Sequence, residues 1–148
     1  MSLFSQIKEK LLGASTASDS ESNFDPQLFV YIKIPEDIGP VARGEKYEDS
    51  LDKLISSSEL GGVSGGGSQL GAERLDGTRS IVFSGIDIDV TDLQKALDVL
   101  RSKLRTLNAP CGTEIHYTQG GTTLQDELHS NGWVLAQPRT FLHPGFNI

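Results

Sequence analysis

The chain has 148 residues, 36% of them hydrophobic and 22% charged, enough for one core with flanking extensions and too little for two. Thirteen Lys and Arg against twenty Asp and Glu leave a net charge of −7, a field that repels nucleic-acid backbones and anionic lipid unless a basic patch is built locally. The single cysteine, Cys111, excludes an internal disulfide, and no apolar run approaches the ~20 residues of a bilayer span, so a soluble cytoplasmic protein is expected.

Leu3, Phe4, Ile7 and Leu11 recur at helical spacing ahead of Gly13, so 1–13 reads as an amphipathic helix. Residues 14–27, rich in Ser and Asp, read as a flexible linker. In LFVYIKIP, Leu28, Val30, Ile32 and Ile34 alternate with Phe29, Tyr31 and Lys33, which predicts a strand closed by Pro35. After a polar loop, Tyr47, Leu51, Leu54, Ile55 and Ser58 recur with helical period, and Glu48, Asp49, Asp52 and Lys53 lie outside that stripe. The run GGVSGGGSQLG at 61–71 holds six glycines; Asp76 and Gly77 then mark a turn, and RSIVFSGIDIDV reads as a strong strand. Leu93, Leu97, Leu100, Leu104 and Leu107 form the stripe of a second helix, with Thr91 and Gln94 at capping-box spacing and Asn108 to Pro110 as its end. TEIHYTQ predicts a further strand, 124–129 a short helix, and Trp133, Val134 and Leu135 a strand or a covering segment.

This element order over 28–119 resembles the split βαβ, or ferredoxin-like, α+β arrangement (βαββαβ). The resemblance implies an antiparallel sheet of order 4-1-3-2, with the glycine-rich second strand at an edge. Residues 120–148 are then expected to be a C-terminal extension packing on that domain, with Trp133 and Phe141 on the sheet face opposite the helices.

A phosphate loop follows a strand and opens a helix, so that the helix N-terminal N–H groups meet the anion. The glycine run does the reverse, following a helix and preceding a strand, and it has no Gly-Lys-Ser/Thr. It therefore reads as a glycine-rich strand whose missing side chains let another backbone, a ligand or the tail approach closely, with Gly65, Gly66 and Gly67 at its centre.

If both helices cover the face of Val30, Ile32, Ile86 and Ile88, then Phe29, Tyr31, Lys33, Ile81, Phe83, Asp87 and Asp89 share the other face. LFV resembles one strand motif of RNA-recognition domains and RSIVF partly resembles the companion motif, which implies base stacking on Phe29, Tyr31 and Phe83; Ile81 and Ser80 depart from that pattern. Asp87 and Asp89 lie ~6.6 Å apart along a strand, a spacing open to cation binding or acid–base division but also to plain solvation near a helix start. Cys111 and His116 would need hydrogen-bond reach to act as nucleophile and base, and His129 and His143 have no zinc-site spacing.

Between 36 and 59 there are seven acidic and three basic residues, a local −4. An acidic helix beside a pliable edge strand suits a basic protein partner, through steering and strand addition. The expectation is a small non-enzymatic protein-binding or regulatory module, of inhibitor or immunity type, using Glu45, Glu48, Asp49, Asp52 and Gly65–Gly67. The alternatives are a small-molecule binder or enzyme on the open face, using Phe29, Tyr31, Phe83, Asp87, Asp89 and His116, and a single-stranded RNA binder. No catalytic residue, metal or cofactor is assigned.

Overall fold

In the computed structural model, which describes residues 25–139 and His143, a 3-10 turn at Pro26–Leu28 capped by the Asp25 carboxylate leads into strand β1 (Phe29–Ile34). The amphipathic helix expected over 1–13 and Phe141 lie outside the described residues. A long helix, α1, follows as three continuous pieces: Pro40–Arg43, a π-helical turn at Gly44–Glu48, and Asp49–Ser57. Its start lies well ahead of Tyr47, where the apolar stripe begins. Pro40 occupies the first helical turn, where a missing N–H costs nothing, and the π turn shifts the side-chain phase so that no continuous 3.6-residue pattern announces the first half.

Strands β2 (Gly61–Glu73) and β3 (Arg79–Val90) form a hairpin, and helix α2 (Leu93–Thr106) returns the chain to β4 (Glu114–Gln119). Asp92, not Thr91, caps α2, accepting from the Lys95 N–H at 3.1 Å. Thr91 is occupied elsewhere, donating its N–H and hydroxyl to the carbonyls of Leu60 and Glu59 just beyond the end of α1.

The expected ferredoxin-like sandwich with a packed-on extension is overturned. Segment 124–129 is not a helix; it lies within β5 (Thr122–His129), and β6 (Gly132–Pro138) pairs with it, so one antiparallel sheet of six strands runs in the order β2-β3-β1-β4-β5-β6. The cause is the Gly120–Gly121 turn. Both glycines have positive φ, 58° and 80°, the backbone a tight primed turn requires, and this folds β5 straight back onto β4.

The core lies on one face of this sheet. Val30, Ile32, Ile34, Ile86, Ile88, Val90 and Ile115 are buried against Tyr47, Leu51 and Ile55 of α1 and Leu97, Leu100 and Leu104 of α2. Each such side chain contributes roughly 1.5–3 kcal/mol on burial, which a 14-residue helix needs because it is marginal alone. Trp133 joins this helical side, donating Nε1–H to the Arg101 carbonyl at 3.1 Å, and so does not cover the opposite face. Beneath α2, buried Asp126 takes Arg101 on Oδ2 (2.7 Å) and both the Tyr117 hydroxyl (2.7 Å) and the Ala136 N–H (2.9 Å) on Oδ1. Among the described residues no helix is long and apolar enough to cross a membrane, and no group of three or more His, Cys, Asp and Glu could hold a metal ion.

Candidate functional site: a glycine-lined hollow and a half-guarded edge

Strand parity sets the site. Tyr31 of β1 stands between Asp87 of β3 and His116 of β4, its direct partners in the two ladders, so all three side chains emerge on the face away from the helices. The next column outward is made of glycines: Gly65 is opposite Asp87, and Gly67 opposite Gly85. Tyr31 uses that space, its ring and hydroxyl lying where a Gly85 side chain would stand. Among the described residues, nothing lies within 4 Å of the Cβ position above Gly67. The result is a hollow of about 200 Å³ lined by Tyr31, Gly67, Ser68, Phe83, Asp87 and His143.

His143 reaches this face from the C-terminal segment. Its ring packs on Tyr31 at 4.3 Å between centroids and lies 5.5 Å from Phe29, and Nε2 is 3.2 Å from Asp87 Oδ1. On the other side of Tyr31, fully buried His116 meets it edge-on and pairs with Glu114 through Nε2 at 2.8 Å. Burial pushes the His116 imidazole down despite that carboxylate, so it is neutral near pH 7, and the hydrogen bond from His116 holds Glu114 below the usual carboxylate range. The Tyr31 hydroxyl is pushed up to about 12, by burial first and by Asp87 and Glu114 after it, and stays protonated. Lys33 links the two sides, 4.0 Å from Glu114 and 4.7 Å above the Phe83 ring.

The outer border of β2 is an edge of the sheet, and α1 guards its first half. Asp52 Oδ1 accepts the Val63 N–H at 2.9 Å, Arg43 Nη1 donates to the Gly67 carbonyl at 2.9 Å and to Ser68 Oγ at 3.0 Å, and Ser56 Oγ lies 3.5 Å from the Gly61 carbonyl. The lengths match: from Arg43 to Ser56 the helix rises ~20 Å, and from Gly61 to Gly67 the strand runs ~20 Å. The π turn contributes directly, since its five-residue spacing stacks Arg43 on Glu48, Nε to Oε2 at 3.1 Å, over Gly66, where a side chain would collide with the Glu48 carboxylate.

Of the acidic residues proposed as a binding face, then, Glu48 and Asp52 are turned onto β2, while Glu45 and Asp49 remain exposed. Beyond Ser68, among the described residues, no hydrogen bond runs from α1 to the strand. There the hairpin continues past the end of β1's pairing as a two-stranded arm, braced by Asp37, which takes the Arg74 guanidinium and the Ile81 N–H. The arm exposes Leu70 at 51%, Leu75 at 109% and Val82 at 55%.

Asp89 lies on the outer face near the start of β2, opposite Gly62. Cys111 is exposed in the turn before β4, whereas His116 is buried in the sheet; His129 pairs with Glu127 at 3.3 Å, far along the chain from the His143–Asp87 contact. Reading the sequence placed Phe29, Tyr31, Phe83 and Asp87 on one face but missed His143, Arg43 and Asp37. Arg43 and Glu48 could have been found only by looking for a five-residue ion-pair spacing, and nothing local marks the other two.

Compared with known proteins, the chain matches no family model, no curated protein and no solved structure.

Proposed function

We propose that this protein is a non-enzymatic binding module that captures a protein partner along the distal half of β2 and the exposed apolar side chains of the hairpin arm. The observation that carries this reading is the contrast within one strand. Helix side chains reach the Gly61 carbonyl, the Val63 N–H and the Gly67 carbonyl, and among the described residues none reaches the strand beyond Ser68. Strand β2 has thirteen residues without Pro or Lys, the residues that usually keep an edge from pairing. Exposed Glu45 and Asp49 and the net charge of −7 favour approach by a basic partner. The binding mode is strand addition, with backbone hydrogen bonds supplying affinity and Leu70, Leu75 and Val82 supplying contact area.

Gln69 lies two residues past Gly67, whose carbonyl points outward, so its own N–H points outward as well and Gln69→Pro removes that donor without touching the β2–β3 ladder. A photo-crosslinking residue at position 70 in the intact chain is expected to give a defined adduct in cells, lost in Gln69→Pro, while the same residue at position 134 on the opposite edge gives none. Equal adducts at both positions, or adducts indifferent to Gln69→Pro, would overturn the reading.

A further inference from the structure

We propose that the groove between α1 and α2 is the docking site of the chain's own first segment, residues 1–13. The groove opens where α1 ends and α2 starts, as a cavity of about 570 Å³ lined by Glu59, Leu60, Asp92, Asp98 and Val99. It continues along α2 as a second cavity of about 320 Å³ over Leu54, and Asp98 and Val99 line this one too, so the two form one channel. Its floor is apolar: Leu60 is buried, Leu54 and Val99 are half-buried, and Val99 packs on the core. A seam of this kind between two helices is a surface onto which a third helix packs.

The path of the chain selects the occupant. Phe29 is opposite Asp89 and Gly61 opposite Val90, so the start of β1, the end of α1 and the start of α2 share one end of the sheet, and the chain enters β1 beside the mouth of the groove. Between segment 1–13 and Asp25 lie the eleven residues 14–24, which span up to ~36 Å, whereas α2 from Leu93 to Thr106 rises only ~20 Å. The segment therefore reaches every part of the groove. The exposed apolar side chains of the hairpin arm stand at the opposite end, ~33 Å up β3 from Asp89 to Arg79, nearly the full stretch of the same connection.

The side-chain pattern fits the groove. With helical spacing, Leu3, Phe4, Ile7 and Leu11 fall in one stripe about 100° wide, Lys8 and Lys10 lie along its two borders, and Glu9 lies opposite. The mouth of the groove carries Glu59, Asp92 and Asp98 against a single lysine, Lys95, and both Glu59 and Asp98 are exposed. Setting the stripe into the seam brings the two lysines to a rim of carboxylates and leaves Glu9 in water. A helix of this length is marginal in isolation, so burial of the stripe is what supplies its stability.

The test places a nitroxide at position 9 of the full chain, as Glu9→Cys with the exposed native thiol removed by Cys111→Ser, and reads amide line broadening. Position 9 lies opposite the stripe, so the label leaves the contact intact. Strong broadening is expected at Leu54, Glu59, Asp98, Val99 and Ser102, with the hairpin arm at 70–80 unaffected. Ile7→Asp puts a charge in the middle of the stripe and changes nothing in the sheet or its two helices, and it should abolish the broadening. Asp98→Lys, on the exposed rim, should weaken it at low salt while the rest of the amide spectrum stays in place. Mixing nitroxide-labelled chain with an equal amount of isotope-labelled chain that carries no nitroxide separates the occupants: an intrachain contact transfers no broadening, and transfer would assign the groove to the segment of a second copy. That transfer, an absence of broadening in the groove, uniform broadening, or groove broadening that survives Ile7→Asp would overturn the proposal.

Discussion

At one edge of the sheet, β6 is seven residues long, bends where Leu135 and Ala136 together oppose Asp126, carries Ala136 at φ 56°, and ends in Pro138. At the other edge, β2 is thirteen residues long, has no proline, and relies on side chains from α1 to occupy its outward groups. Both edges face the same hazard, a row of unpaired N–H and C=O groups that can recruit another strand. Strand β6 meets it with the shape of its own backbone. Strand β2 breaks its register after Val63 and around Leu70, but its glycines supply neither bulk nor charge, so the protection of its first half is borrowed from a helix and reaches only as far as Arg43 does. The difference teaches that protection and openness on β2 are both set by the length of α1, and substitutions that remove one guard at a time should separate the two edges.

The largest expected effect is at β6. Asp126→Ala leaves the Arg101 guanidinium with only the exposed Asp98, at 3.2 Å, and removes the buried acceptor of the Ala136 N–H and the Tyr117 hydroxyl. Urea denaturation should show a loss of about 3–5 kcal/mol, the cost of breaking a buried ion pair from one side. A loss below about 1 kcal/mol would mean that β6 holds its bend without the carboxylate. At the start of β2, Gly61 has φ 134°, and a Cβ there would run into the Asp89 carbonyl. Gly61→Ala should cost about 2–4 kcal/mol, combining backbone strain with overpacking. Amide exchange should quicken over 61–63 while β6 keeps its protection; equal quickening at both edges would show that the two are not independent.

The contrast also explains what could be read before the structure was known. The alternation of Val30, Ile32 and Ile34 and the leucine stripe of α2 are strong because each buries one clean face, and both stand in the core. Strand β5 escaped notice because its inward set is Leu124, Asp126 and Leu128: a charged residue fills a core position, and the Arg101 that neutralises it comes from another element. Glu48 and Asp52 read as part of an outward acidic binding face because the rule that charges point outward assumes a neighbour with side chains. Against a glycine strand the helix comes close enough for those carboxylates to reach backbone and ion-pair partners. The open face was legible to the extent that parity alone decides it. His143 was not, since only the path of the chain after β6 brings it to Asp87.

The smallest expected effect is the most informative about β2. Asp52 is exposed and accepts one short hydrogen bond, from the Val63 N–H at 2.9 Å, and a long one from Ser56 Oγ at 3.5 Å, so Asp52→Ala should cost only about 1 kcal/mol. Its second consequence is association, because the freed donor belongs to an edge strand that runs on into the arm. Sedimentation at rising concentration should therefore show self-association in Asp52→Ala that the parent chain lacks. Asp49→Ala removes the same charge from the same helix without touching β2 and should stay within about 0.5 kcal/mol of the parent and sediment as it does. If the two variants behave alike, the association follows net charge and the guard is idle. If only Asp52→Ala associates, a single carboxylate is what keeps the first half of β2 from behaving like the second.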